Sequence, residues 1–244
     1  MINVIVPMAG RGKRFADVGY QKPKPFIDVL GKPMILKVVD NLFVNGDVSY
    51  TFICLSSFFE EYGEEFKSLL VDNGTKFNIV QVDKVTEGAA CTVLFAKDII
   101  NNDNEMIIAN CDQLVLDYNF MNHSINFYRE EKADGGILCF LNNHPKWSYV
   151  SIDSNLCIMK VVEKQVISNI ATVGVYYYRK GKYFVDSAEE MISSNFRVNN
   201  EFYVAPAFNN MICRNQKIVP YMINKMVGLG TPEDLEVYKN RAKQ

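Results

Sequence analysis

The chain has 244 residues, 48% of them apolar, and a formal net charge of -2. That length and apolar content allow a sizeable buried core, in one large domain or two small ones. A charge balance this close to neutral excludes a general affinity for nucleic acid or for an anionic membrane surface, while leaving room for a local basic cleft.

The first strand is predicted at Asn3–Val6 and runs into a glycine turn, Gly10-Arg11-Gly12-Lys13-Arg14. A lysine–proline segment follows, in which Pro23, Pro25 and Pro33 stiffen the backbone and are expected to hold Lys22, Lys24 and Lys32 extended. A helix is predicted over Lys32–Val44, a strand over Tyr50–Leu55, and a second helix over Ser57–Val71. The second helix carries Phe59, Tyr62, Phe66, Leu69 and Leu70 at helical spacing and stops at Asn73-Gly74. Then come a strand at Phe77–Val82, a helix at Ala89–Ile100, a strand at Met106–Ala109, a helix at Asn119–Glu131 and a strand at Gly136–Phe140. This alternation argues for an α/β fold with a parallel sheet and helices on both faces. Strands at Tyr149–Ile152, Ile158–Val162, Ala171–Tyr178 and Ile218–Tyr221 follow one another more directly and predict antiparallel additions. Without a linker-like stretch or internal repeat, residues 1–244 read as a single domain.

Six cysteines (Cys54, Cys91, Cys111, Cys139, Cys157 and Cys213) lie in apolar segments with no CxxC pair, and read as reduced thiols. No window approaches the roughly 18 apolar residues of a membrane span, and the start, Met-Ile-Asn-Val, lacks the regions of a leader. The expectation is a soluble, cytoplasmic protein.

The turn after the first strand is where α/β sheets place ligands. Gly10 and Gly12 let backbone N–H groups approach an anion, a following helix end favours negative charge, and Arg11, Lys13 and Arg14 add positive charge. No third glycine completes a dinucleotide fingerprint, and Lys13 is followed by Arg14 rather than by the hydroxyl residue of a Walker loop. A stiff segment presenting lysines beside such a loop suits phosphoryl chemistry, which rests on positioning and charge stabilisation. Asp112, in "IIANCDQL", sits just past an apolar strand, where a carboxylate has no packing role. It reads either as a magnesium ligand or as an Asx-turn cap for a following helix. No Cys/His cluster suggests zinc, and no Ser/His/Asp order suggests a hydrolase.

The pattern Gly-x-Gly-x-Arg-Phe, a lysine–proline segment and then Gly-Lys-Pro-Met resembles the signature of the sugar-phosphate nucleotidyltransferases (nucleotide-sugar pyrophosphorylases). So do "TEGAACTVL", "IIANCDQ", "VVEKQVISNIATVGVYYY" and "GLGTPEDLEVY", in the family's order and spanning nearly the whole chain. The resemblance implies a Rossmann-like nucleotidyltransferase fold with a mixed, mostly parallel central sheet. It also implies a Mg2+-dependent transfer of a nucleotidyl group from a nucleoside triphosphate to a phosphorylated small molecule, with release of pyrophosphate.

By the same resemblance, Met8, Ala9, Gly10 and Gly12 cradle the triphosphate and Gly88 lies against the base. Arg14 grips pyrophosphate, Lys24 neutralises the reacting phosphates, and Asp112 carries the metal. Glu163 and Lys164 match a Glu-Lys pair used on the acceptor. Lys146, Trp147 and Tyr149, in "HPKWSYV" with His144, either line the acceptor pocket or form a Trp-centred cluster under a loop.

The sequence departs from the family's carboxy-terminal Asp-x-Gly-Thr-Pro, where Gly228 occupies the place of a second metal aspartate. Asp234 is close by, but Thr231-Pro232-Glu233-Asp234 reads first as a helix start, with Thr231 as N-cap. Segments such as "PMAGRGKRF" and "EGAACT" resemble a capsule-associated subgroup that includes CTP:phosphoglutamine cytidylyltransferases. That favours CTP and leaves the acceptor open between a sugar 1-phosphate and phosphoglutamine. Two other readings stand beside this one. A glycosyltransferase of similar fold would need an Asp-x-Asp motif that "NCDQL" lacks, and a non-catalytic nucleotide-binding regulatory domain would release no pyrophosphate. No pattern in the sequence reports oligomeric state.

Overall fold

The first apolar run forms β1 (Ile2–Pro7), an inner strand of a nine-stranded sheet in the computed structural model, which describes residues 1–241. Alternation places Val4 and Val6 in the core on one face and Ile5 in the core on the other, all fully buried. A strand buried on both faces needs helices on both sides, and the following segments supply them.

In chain order these are α1 (Lys13–Ala16), the short hairpin β2 (Asp28–Val29) and β3 (Lys32–Pro33), α2 (Met34–Asn41), β4 (Val48–Leu55), α3 (Ser56–Asp72), β5 (Phe77–Val82), α4 (Ala89–Leu94) and α5 (Lys97–Ile100). Then come β6 (Glu105–Ala109), β7 (Gln113–Val115), α6 (Phe120–Glu130), β8 (Gly135–Leu141), β9 (Tyr149–Ile152), β10 (Ile158–Val162) and β11 (Ile170–Tyr178). The remainder is α7 (Gly181–Ser193), α8 (Phe208–Cys213), β12 (Ile218–Met222), β13 (Met226–Gly228) and α9 (Pro232–Arg241).

Strands β6, β1, β4 and β5 lie side by side and parallel. β11 joins β6 antiparallel and carries β8 and the β9–β10 pair, and β12 adds parallel to β8. The fold is therefore α/β, parallel in its amino-terminal part with antiparallel additions later, as the sequence predicts. Residues of α2, α3 and α6 fill the core on one face, and those of α4, α7 and α8 fill the other.

Several predicted elements differ in detail. The lysine–proline segment is not extended: Lys24–Phe26 forms one 3-10 turn, with Pro25 inside it, and the backbone bends there. The helix predicted from Lys32 begins at Met34, because Lys32 and Pro33 pair with Val29 and Asp28 around a turn at Leu30 and Gly31, both at positive φ. The helix predicted over Ala89–Ile100 is divided into α4 and α5. Helices α7 and α8 and the short pair β7–β13 are additional elements.

Candidate active site

The carboxyl ends of the parallel strands open onto a cleft of about 1000 Å³, the position where this topology leaves a crevice. One wall is the glycine turn. Gly12 has φ +61, a conformation that side chains with a Cβ rarely adopt, and its carbonyl accepts from the Phe15 N–H at 3.0 Å to start α1. Phe15 is 2% exposed and anchors the turn. Arg11, Lys13 and Arg14 are exposed in this wall and form no ion pair among the described residues, so their charge is free for an anion. Met8 and Gly10 line the cleft, whereas Ala9 is buried on the far face of the sheet and does not.

The 3-10 turn decides which lysine faces inward. Lys24 reaches across the cleft floor to Asp112, its ammonium donating to Oδ2, and the two side chains are 18% and 24% exposed. Burial by itself lowers the Lys24 pKa, but Asp112, with a smaller contribution from Cys111, outweighs it and the pKa ends above the ordinary lysine value. Lys22 points to solvent, 4.0 Å from Glu65, and Lys32 is held by Asp40 and by Asn73 at 3.2 Å. The three lysines of the ladder therefore go to three different places.

Asp112 lies three residues past the end of β6 and immediately before the next element, strand β7. The helix-cap reading of Asp112 thus fails: α6 starts later, with Asn119 as N-cap. Strand β13 pairs with β7, setting Gly228 opposite Gln113, and the Leu229 N–H donates to the Asp112 carbonyl at 2.7 Å. The carboxy-terminal segment is thereby stitched beside Asp112. A Cβ at Gly230 would lie 2.7 Å from Asp112 Oδ2, and one at Gly228 would lie 3.5 Å from Asp234 Oδ2. Thr231 is the N-cap of α9, its Oγ1 accepting from the Asp234 N–H at 3.1 Å, as the sequence predicts. Among the described residues no group of three or more His, Cys, Asp or Glu converges. The donors present, Asp112 with Asp234 nearby, suit a cation that takes one or two carboxylates and completes its shell with phosphate and water.

The opposite wall carries Glu163 and Lys164 after β10. Lys164 has φ +54, its N–H donates to the Trp147 carbonyl at 3.1 Å, and its ammonium meets the Tyr203 hydroxyl and lies 4.5 Å from that ring's centroid. Trp147 serves both readings given for it: it stacks edge-on against Phe140 at 5.4 Å, lines the cleft, and lies under the Lys146 ammonium at 4.8 Å. Tyr149 is a correction. It is fully buried, outside the cleft, and its hydroxyl is spent on the His144 carbonyl at 2.8 Å, so it braces the loop rather than lining the pocket.

Glu163 is 9% exposed and accepts a hydrogen bond from the Ser148 hydroxyl. Burial raises its pKa despite the opposing effects of Ser148 and Lys164. A carboxyl whose pKa is raised on folding binds more protons folded than unfolded in the window above its ordinary pKa. Its stability contribution is full below that value and is lost as pH rises through the raised one. Glu163→Gln, which keeps a hydrogen-bonding partner for Ser148, is expected to flatten the decline in melting temperature just above pH 4.5. An unchanged pH–stability profile would show that Glu163 titrates as it does in the unfolded chain.

Gly88 starts α4, but it faces the 201–203 segment rather than the cleft. The Ala90 N–H donates to the Phe202 carbonyl at 3.0 Å and the Phe202 N–H donates to the Glu87 carbonyl at 2.8 Å. It is Ala89 that reaches the cleft wall. Asn110, Ser148, Glu201 and Tyr203, which no motif in the sequence singles out, also line the cleft. The signal for the last two was a polar–aromatic run, "NNEFYV", with Asn199 and Asn200 both at positive φ in a turn.

A family model described as "Nucleotidyl transferase" matches residues 3–236. A mannose-1-phosphate guanylyltransferase catalytic subunit beta from Drosophila pseudoobscura pseudoobscura is 23% identical over 177 residues, covering 71% of this chain and 47% of that protein. The chain thus spans about half the length of the curated relatives it matches. Among solved structures, a nucleoside-diphosphate-sugar pyrophosphorylase from Vibrio cholerae superposes with a TM-score of 0.83 at 20% identity, covering 97% of this chain and 99% of that one. A UDP-glucose pyrophosphorylase complexed with UDP-glucose superposes with a TM-score of 0.81 at 18% identity, covering 100% and 99%.

Proposed function

The chain belongs to the nucleotidyl transferase family and is an enzyme of that type, and from that premise we propose that it transfers a nucleoside monophosphate, CMP by preference, to a phosphorylated small metabolite. The acceptor's phosphate oxygen attacks the α-phosphorus of the triphosphate in line. One P–O bond forms, the bond to the β-phosphate bridge breaks, and pyrophosphate leaves. No general base is needed, because the attacking phosphate is already ionised.

The glycine turn from Met8 to Gly12 lays its backbone along the triphosphate, and Arg14 holds the leaving pyrophosphate. Lys24 balances the charge spread over the reacting phosphates. Asp112 would hold Mg2+, which supplies charge neutralisation on the phosphate oxygens when bound. Lys164 and Lys146 take the acceptor's phosphate, Glu163 accepts from its polar groups, and Trp147 forms the pocket wall. Gly88 positions the base-recognition segment through its contact with Phe202.

The observation that carries this reading is the Lys24–Asp112 contact on the cleft floor, between the glycine turn and the Glu163–Lys164 wall. A phosphate-handling cation and a cation-handling carboxylate, far apart in sequence, meet where the strands end. The acceptor is a sugar 1-phosphate or phosphoglutamine. The absence of a side chain at position 228 and the Lys146–Trp147 segment are compatible with the less ordinary acceptor and do not favour it over a sugar 1-phosphate, while the resemblance of "EGAACT" and "HPKWSYV" to the capsule-associated subgroup supports CTP. We place the product in capsule or surface-polysaccharide precursor synthesis, made in the cytoplasm by residues 1–244 acting as one domain. No helix among the described residues is long and apolar enough to cross a membrane.

The test is magnesium-dependent pyrophosphate release from CTP, UTP, dTTP, ATP and GTP, each paired with a panel of sugar 1-phosphates and with phosphoglutamine. Release with CTP and one of these acceptors is the expected result. Release only with another triphosphate would overturn the base preference, and silence across the panel would overturn the acceptor class.

A further inference from the structure

We propose that Asp234 supplies a second carboxylate to the cation-binding end of the cleft, a role that Gly228 cannot fill; this rests on the reading of Asp112 as the metal-bearing residue. The geometry begins with the strip Gly228–Gly230, both of whose glycines line the cleft. The Cβ positions of Gly230 and Gly228 fall 2.7 Å from Asp112 Oδ2 and 3.5 Å from Asp234 Oδ2. The two carboxylates thus flank the same bare stretch of backbone, and Asp234 is the group that a Cβ at 228 would touch.

Neither carboxylate can drift far. The strip is tied to Asp112 by the Leu229 N–H, and Asp234 is fixed on the first turn of α9 by its N–H bond to Thr231 and by fully buried Leu235 next to it. Asp234 also has company that points to a cation. Each carboxylate carries a lysine from another part of the cleft, Lys24 on Asp112 and Lys146 at 3.6 Å on Asp234. A metal–triphosphate complex brings a cation for the carboxylates and anions for the lysines, so both pairs can exchange partners in one event. Magnesium gives up its waters reluctantly, and a carboxylate set back from Asp112 acts by accepting hydrogen bonds from metal-bound water.

The probe is Mn2+ with CTP, or with the triphosphate that the release panel selects, and no acceptor present. Uptake is read from the loss of the free-Mn2+ electron paramagnetic resonance signal. Asp234→Asn is expected to weaken uptake about 10-fold, the lower end of what outer partners of a metal contribute. Glu233→Gln, an exposed acid on the same helical turn, is expected to leave it unchanged. Lys146→Met is expected to tighten uptake by freeing Asp234, and it keeps the test alive if the Asp234 variant does not fold.

Wild-type uptake in Asp234→Asn, or equal weakening in Glu233→Gln, would overturn the proposal. Asp112→Asn separates the two levels: loss of uptake there with none in Asp234→Asn leaves the site reading standing, and normal uptake in Asp112→Asn removes that reading itself.

Discussion

Lys24→Ala is expected to lower kcat roughly 10²-fold or more, with a smaller change in KM for the triphosphate, because the ammonium acts on charge that grows in the transition state. The side chain is well placed for this. It is 18% exposed, it is drawn onto the cleft floor by Asp112, and its raised pKa keeps it a cation throughout the neutral range. The cost to folding is expected to be modest. The pair is only partly buried, so solvent screens some of the attraction, and its loss should destabilise by about 1–2 kcal/mol. Steady-state pyrophosphate release and a thermal melt on the same preparation separate the two effects. Near-normal turnover in a folded Lys24→Ala protein would remove the lysine from the mechanism.

Gly88→Ala is expected to produce a large loss of stability, about 3–5 kcal/mol. Two causes add. The residue has φ +138, and a Cβ there would lie 2.4 Å from the Phe202 carbonyl oxygen and 2.5 Å from its nitrogen. Both are main-chain atoms already bonded to the Glu87–Ala90 segment, so neither side can move without giving up a hydrogen bond. For a chain of this size the melting temperature should fall by roughly 6–20 °C. Gly19→Ala provides the control: it also has positive φ, +89, but its Cβ would meet nothing within 4 Å, and it should cost only about 1 kcal/mol. Equal melting temperatures for the two variants would show that the Gly88 contact yields, and that backbone conformation alone sets the cost. The contact matters beyond stability, since it holds the segment that brings Glu201 and Tyr203 to the cleft wall that also carries Lys164.

The sheet was legible in the sequence because its strands are short, β-branched and bounded by turn residues. Phe77–Val82, Tyr149–Ile152 and Ile158–Val162 fall where the pattern puts them. Helix α7 escaped prediction although Phe184, Val185, Ala188 and Met191 have helical spacing and are all buried. The pair β7–β13 could not be found locally at all, since each strand has three residues and is held by partners distant in the chain, β13 by β7, and β7 by β13 and the Asn41 side chain. Tyr149 shows the same limit from another side. An aromatic residue that opens a strand after a polar loop suits a pocket wall or a core equally well, and its full burial is decided only by the tertiary structure.

The sequence by itself determined the class of chemistry: a glycine turn after a buried strand, cations beside it and a lone carboxylate at another strand's end are dictated by residue type and order. Which lysine faces the carboxylate was decided only by the tertiary structure, because Lys22, Lys24 and Lys32 are alike until the 3-10 turn at Pro25 aims one of them inward. The same holds for Asp234. Its place in the chain makes it a helix-start residue, and only the pairing of β13 with β7 carries that helix start to the side of Asp112. Local propensity acts over a few residues, whereas a site for a charged substrate is assembled from charges that strand pairing brings together across the whole chain.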